Sequence, residues 1–180
     1  MERLHRLFRK RIRKGDLNMR IRGFEFISEE QTRKDFKDFD GADIKLKAPK
    51  RSTKESAGYD VFAPFDINLS PGEDIKIPTG IRAYMQKGEV LLAFPRSGLG
   101  FKYYTRLANT IPVIDSDYIK SDNEGHIWIK IRNEGNKNLL INQGEAFCQA
   151  IFMPFLLIDG DNFEDGKVRN GGFGSTTEVK

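Results

Sequence analysis

In "PRSGLGFK" (residues 95–102), Arg96, the hydroxyl of Ser97 and two glycines, Gly98 the first, follow directly on an apolar run. Glycine lets backbone N–H groups approach an anion closely, and a guanidinium offers paired donors to phosphate oxygens. A plain turn after a strand uses the same residue types, so both readings fit this segment. "NTIPVIDSDYIK" (109–120) is sharper, because Val113 and Ile114 bury the approach to Asp115 and predict a carboxylate held in place. A held, ionised acid can orient and deprotonate a water, worth roughly 10²–10⁴ in rate. The alternative is a strand-end acid that satisfies turn amides. Tyr118 equally fits a half-buried sheet position.

"SAGYDVFA" (56–63) puts Asp60 between aromatics at the entry to a strand, where a buried acid pairs with arginine or backbone donors. Gln149, inside the apolar "AFCQAIF", needs partners from protein or ligand. The chain ends in "RNGGFGSTTEVK" (169–180). A frayed tail has no use for Phe173, and a packed strand has little use for Gly171, Gly172 and Gly174. Other chemistries find no support. His5 and His126 are far apart and Cys148 is the lone cysteine, which argues against a His/Cys zinc site and forbids an internal disulfide. There is no GxSxG elbow, and the terminal glycines lack the lysine of a P-loop. A divalent ion would most naturally arrive with a phosphate substrate, as magnesium does.

These groups need a rigid scaffold, and the sequence supplies one. The 180 residues suit one domain, and 14 Phe with 5 Tyr favour pleated surfaces over helical bundles. "FISEEQTRKDFKDF" (26–39) reads as a short helix with Ser28 as N-cap. "GADIKLKAPKRSTKESAG" follows as a short strand and a polar loop. "DINLSPGEDIKIPTGIRAYM" alternates and turns at Ser-Pro-Gly and Pro-Thr-Gly, and "EVLLAF" is a buried strand stopping at Pro95. "HIWIKIRNEG" puts Ile127, Ile129 and Ile131 on one face and Trp128, Lys130 and Arg132 on the other. "NLLINQGEAFCQAIFMPFLLI" reads as two strands with a turn at 142–144. Short strands with frequent turns predict an all-β sandwich, jelly roll or barrel, with room for one short helix.

The net charge of +4 is unevenly divided. Residues 1–22 hold nine Lys or Arg against two acids, a net of +7, which leaves −3 for the rest. The basic character therefore belongs to a leader, residues 1–18, ahead of a domain over 19–168. Leu4, Leu7, Phe8 and Ile12 would line one side of that leader if it were helical, a form suited to nucleic acid or an anionic membrane. The plainer reading is a solvated extension. No run approaches the roughly 20 apolar residues of a membrane span, and the single cysteine fits a reducing, cytoplasmic setting.

Set in order, "AGYD", "PRSGLG", "VIDSDY", "GEAFCQAIF" and "GGFGST" resemble the five motifs of the homotrimeric dUTP pyrophosphatase (dUTPase) family, over residues 57–176. The resemblance implies a distorted jelly-roll trimer with active sites shared between subunits. It also implies Mg2+-dependent hydrolysis of dUTP to dUMP and pyrophosphate, which keeps uracil out of DNA and supplies dUMP for thymidylate synthesis. On this likeness Asp115 orients the water that attacks the α-phosphorus. Arg96, Ser97 and Gly98 form the phosphate loop, aided by Gln149, and Asp60 lies near the hydrated magnesium. Asn109 and the backbone of Val113, Ile114 and Trp128 read uracil, while Tyr118 packs on deoxyribose. The arm 169–180 closes over a neighbour's site, with Phe173 on the base, Gly174, Ser175 and Thr176 on the γ-phosphate, and Arg169 adding charge.

Three departures stand out. Pro112 replaces the usual glycine, "IKSDN" (119–123) looks inserted, and Arg169 lies one residue closer to Phe173 than usual, with "STT" for "STG". Two alternatives stay open. A dCTP deaminase of the same superfamily would need an acid where Lys130 and Arg132 stand, and a nucleotide-binding protein without catalysis would keep the fold alone.

Overall fold

A computed structural model describes residues 20–39 and 41–161. The leader 1–18 and the arm residues Arg169, Phe173, Gly174, Ser175 and Thr176 lie outside the described residues. In chain order come β1 (Gly23–Phe26), α1 (Glu29–Asp35), β2 (Lys50–Arg51), β3 (Tyr59–Phe62), β4 (Ile67–Leu69), β5 (Asp74–Pro78) and β6 (Ile81–Tyr84). There follow β7 (Glu89–Pro95), α2 (Ser97–Tyr103), β8 (Thr105–Leu107), β9 (Val113–Asp115), β10 (Trp128–Asn133), β11 (Leu139–Ile141) and β12 (Ala146–Pro154).

The strands form a five-stranded sheet, β2-β3-β12-β7-β9, a three-stranded sheet, β5-β10-β8, and the pairs β1-β6 and β11-β4. Alternation decides which side faces inward. On β10, Ile129, Ile131 and Asn133 are buried while Lys130 and Arg132 are exposed. Ile77, Leu91, Ile129, Ile131, Leu139 and Phe147 form the centre of one core. The turn at 142–144 joins strands of different sheets, since β11 pairs with β4 and β12 with β3 and β7. Of the 41–58 segment, only Lys50–Arg51 pairs as strand. Among the described residues no helix is long and apolar enough to cross a membrane.

Helix α1 starts as its sequence dictates: Ser28 has extended φ/ψ, and its side chain accepts from the Gln31 amide. The second helix was not expected. Segment 97–103 carries Gly98 and Gly100, each disfavouring a helix interior by about 1 kcal/mol relative to alanine, so it read as a loop. It coils nonetheless, with Arg96 as its extended N-cap residue and Tyr104 left-handed at its end, where the Tyr104 amide donates to the Gly100 and Leu99 carbonyls.

His126, set aside above as an isolated histidine, is completely buried behind α1. Its Nε2 accepts from the Gly80 amide at 2.9 Å, so Nδ1 carries the proton and donates to Asp35 Oδ2 at 2.5 Å. The Phe36 and Trp128 rings flank it. Burial pushes the imidazole below the ordinary histidine value of 6.5, against the opposite pull of Asp35 and Glu124, and Lys76 adds to the lowering. A lowered folded value means that the unfolded chain binds more protons, so this stabilisation is complete above the ordinary value and is lost as pH falls below it. Urea midpoints should therefore drop between about pH 7 and about pH 5, and His126→Gln should flatten that slope. An unchanged slope in the variant would assign the acid sensitivity elsewhere.

Candidate active site

Strand β12 lies between β3 and β7, and its register assembles the first group of predicted residues. Gln149 stands directly opposite Asp60 on β3 and Phe94 on β7. The register shifts between Ala146 and Cys148, at the fully buried Phe147. Such a bulge re-aims the residues that follow it, here Gln149. Asp60 Oδ1 meets Arg96 Nε at 3.3 Å, and Asp60 Oδ2 accepts from the Ser52 hydroxyl. Gln149 Nε2 donates to the Pro95 carbonyl at 3.2 Å. The Arg96 guanidinium, held at Nε by Asp60 and reaching the Ala146 carbonyl from Nη1 at 3.5 Å, stays partly exposed. Beside it a cavity of about 330 Å³ is lined by Arg96, Gly98, Leu99, Ile141, Glu145 and Ala146. Cys148 is buried under this group, and burial pushes its thiol far up, which leaves a packing role.

The second group occupies the loop from β8 to β10. The β8–β10 ladder ends with the Ala108 amide on the Lys130 carbonyl, and Asn109 and Trp128 stand at its open end. Strand β9 is the edge of the five-stranded sheet, with Val113 opposite Leu92 and Asp115 opposite Val90. The Ala93 amide donates to the Pro112 carbonyl at 3.1 Å. By the alternation of an antiparallel ladder, the N–H and C=O of Val113 then point to the outer edge, where a ligand can use them. Val113 is 59% exposed, Ile114 is buried, and Asp115 is half-buried at the strand's end. Tyr118 is 7% exposed, so at most one edge of its ring faces outward.

The 119–123 segment does not lengthen a hairpin. It begins inside a 3₁₀ turn at Tyr118–Lys120 and folds back on it, where Asn123 Nδ2 donates to the Tyr118 hydroxyl at 2.9 Å. Gly125 closes the loop with φ +72°, and a Cβ there would lie 2.5 Å from the Ile119 Cα.

Within one chain the two groups do not meet. Asp115 lies beside Val90, near the start of β7, whereas Arg96 follows its last residue. Six residues of strand separate Val90 from Arg96, roughly 20 Å at about 3.3 Å per residue, far longer than a triphosphate. Ser52 escaped the sequence reading because only the Lys50–Asp60 register brings its loop to Asp60. His126 and Glu124 escaped it because their partners Asp35 and Ser28 lie 91 and 96 residues away, and Asn123 because its local contacts with Tyr118 and His126 have no signature in the residue types.

An Arg-Ser-Gly turn held by Asp60 and an edge strand ending in a half-buried acid, on a β scaffold of this topology, can be set against known proteins. Residues 45–177 match the dUTPase family profile, and the chain belongs to the dUTPase family. It is 44% identical over 159 residues to the deoxyuridine 5'-triphosphate nucleotidohydrolase of Lactococcus lactis, covering 88% of this chain and 99% of that protein. The Aeromonas salmonicida enzyme of the same name is 37% identical over 136 residues, 71% of this chain and 85% of that one. Among solved structures, the dUTPase from Streptococcus mutans superposes with a TM-score of 0.60 at 39% identity, covering 77% of this chain and 99% of that chain.

Two glycines distinguish packing from access. A Cβ on Gly58 would lie 2.4 Å from Gln149 Oε1, whereas nothing lies within 4 Å of one on Gly98. Gly58→Ala should push the Gln149 amide off the Pro95 carbonyl and cost about 1 kcal/mol of stability, the worth of one hydrogen bond. Gly98→Ala should leave it unchanged or raise it by up to about 1 kcal/mol, because alanine favours the helix. Urea denaturation of both variants checks the contrast.

Proposed function

We propose that the protein hydrolyses dUTP to dUMP and pyrophosphate at a site completed between copies of the chain. Asp115 accepts a proton from a water whose oxygen attacks the α-phosphorus. The bond to the bridging oxygen breaks and pyrophosphate leaves. Arg96, oriented by Asp60, and the backbone at Ser97 and Gly98 neutralise phosphate charge, with Gln149 bracing the loop. Asn109, the outward edge of Val113 and the Trp128 backbone face the uracil, where fixed donors and acceptors separate it from cytosine, while Ile114 turns its own N–H and C=O to Leu91 and supports that edge from behind. Tyr118 walls off a 2′-hydroxyl. Arg169, Phe173, Gly174, Ser175 and Thr176 would close over the nucleotide from a further copy.

The observation that carries this reading is the separation of Asp115 from Arg96 along β7, taken with the family's residues standing at both places. One triphosphate can touch both only if they come from different chains. A head-to-tail contact of that kind repeats until a ring closes, and the family's ring is a trimer. Exposed apolar side chains fit such an assembly: Phe101 is 90% exposed and Leu156 96%, with Tyr104, Leu157 and Ile158 also open.

Magnesium fits as a companion of the triphosphate, where it supplies charge neutralisation. Among the described residues no group of three or more His, Cys, Asp or Glu could hold an ion. Asp60 already accepts from Ser52 and Arg96, which leaves it a contact through water.

Pyrophosphate release should be seen with dUTP and magnesium and be weak with UTP, dCTP or dTTP. Ammonia release from dCTP would favour a deaminase instead. Asp115→Asn should lose roughly 10²–10⁴ in kcat while still binding a non-hydrolysable analogue. Gly98→Ala, harmless to the fold, should raise KM. Asp115→Asn and Arg96→Gln chains, unfolded together and reassembled, should recover about a quarter of wild-type turnover. No recovery would place both residues in one chain's site.

A further inference from the structure

We propose that α1 is a positioning brace for the nucleoside half of the site, acting through the Asp35–His126 and Ser28–Glu124 contacts on Tyr118 and Trp128; this rests on the nucleotide reading above. Helix α1 lies ahead of residue 45, where the family match begins. Its two ends grip the loop that carries Tyr118. At the N-terminus, the Ser28 hydroxyl and amide donate to Glu124 Oε1 and Oε2 at 2.6 and 2.9 Å. At the C-terminus, Asp35 accepts a hydrogen bond from His126 Nδ1 and another from Gln31 Nε2 at 2.7 Å.

The residues gripped are one step from those that face the nucleoside. The Tyr118 hydroxyl donates to the His126 carbonyl at 3.0 Å, and Asn123 Nδ2 donates to both the Tyr118 hydroxyl and that carbonyl. The His126 ring lies 5.3 Å from the Trp128 ring, whose other contact is the Lys76 ammonium at 4.4 Å. Glu124 sits at φ +59° between Asn123 and Gly125, so the segment has little freedom to reach Ser28 another way. Releasing either end of α1 frees the tyrosine wall and the base-reading edge together, while Asp115 stays on its β7 ladder. The brace therefore acts on substrate fit and leaves the chemical step alone.

Trp128 is the single tryptophan of the chain, so its emission reports this network directly. In the full-length protein, Asp35→Asn and Ser28→Ala should each shift Trp128 emission. Each should raise KM for dUTP about 3- to 10-fold with kcat within about twofold. Ser28→Thr, which keeps the hydroxyl, should restore both. Ile67→Val, a core change on β4, should lower the thermal midpoint without moving KM or emission. Unchanged KM in Asp35→Asn and Ser28→Ala, or equal changes in Ile67→Val, would overturn the brace. If the wild type releases no pyrophosphate from dUTP, the nucleotide reading falls. The emission arm still decides whether α1 sets Trp128, and an unmoved spectrum rejects the brace on its own.

Discussion

The register of β12 against both its neighbours is the constraint from which the site follows. Eight of the nine residues of this strand pair, four with β3 and seven with β7, and a one-residue slip would send Gln149 to the opposite face. The bulge at Phe147 fixes that register by burying one residue without a cross-strand partner. Asp60, Gln149 and the Pro95 carbonyl then fall in a row, and Arg96 is steered by groups already bonded to the sheet. A guanidinium held in this way loses less freedom on meeting phosphate than one on a loose loop.

The same sheet keeps the acid and the cation apart. Asp115, on β9, lies beside one end of β7 and Arg96 just past the other, so no loop movement within one chain brings Asp115 to Arg96. In the proposed arrangement, a site divided between copies would gain rigidity from this, because each half is built on strands and neither half would have to travel. The step left would be docking of preformed surfaces, for which the exposed phenylalanine, tyrosine and leucine side chains offer apolar area.

Much of this was legible in the residues, and the exceptions share a cause. The alternation in "HIWIKIRN", the stop at Pro95 and the Ser28 cap are local signals, and the structure follows them. Asp60, Arg96 and Gln149 each stood out by residue type, whereas their clustering was not legible, since Ser52 reaches Asp60 only through a two-residue strand. Helix α2 was hidden because propensity argues against two glycines in seven helical residues. Tertiary context overrides it: the chain turns from β7 into β8 there, and Tyr104 closes the helix on Gly100 and Leu99. His126 was set aside as a poor metal ligand, and nothing in its neighbours announced Asp35, 91 residues away.

Gly98 shows how packing and function can be separated at one position. Stability alone favours alanine there, since helical backbone and open space both accept a methyl group. At Gly58 a methyl group would displace the Gln149 amide instead. In the proposed reading, a glycine beside the Asp60-held guanidinium and at the cavity wall lets a phosphate approach the backbone closely, which gives glycine a use where stability alone would accept alanine.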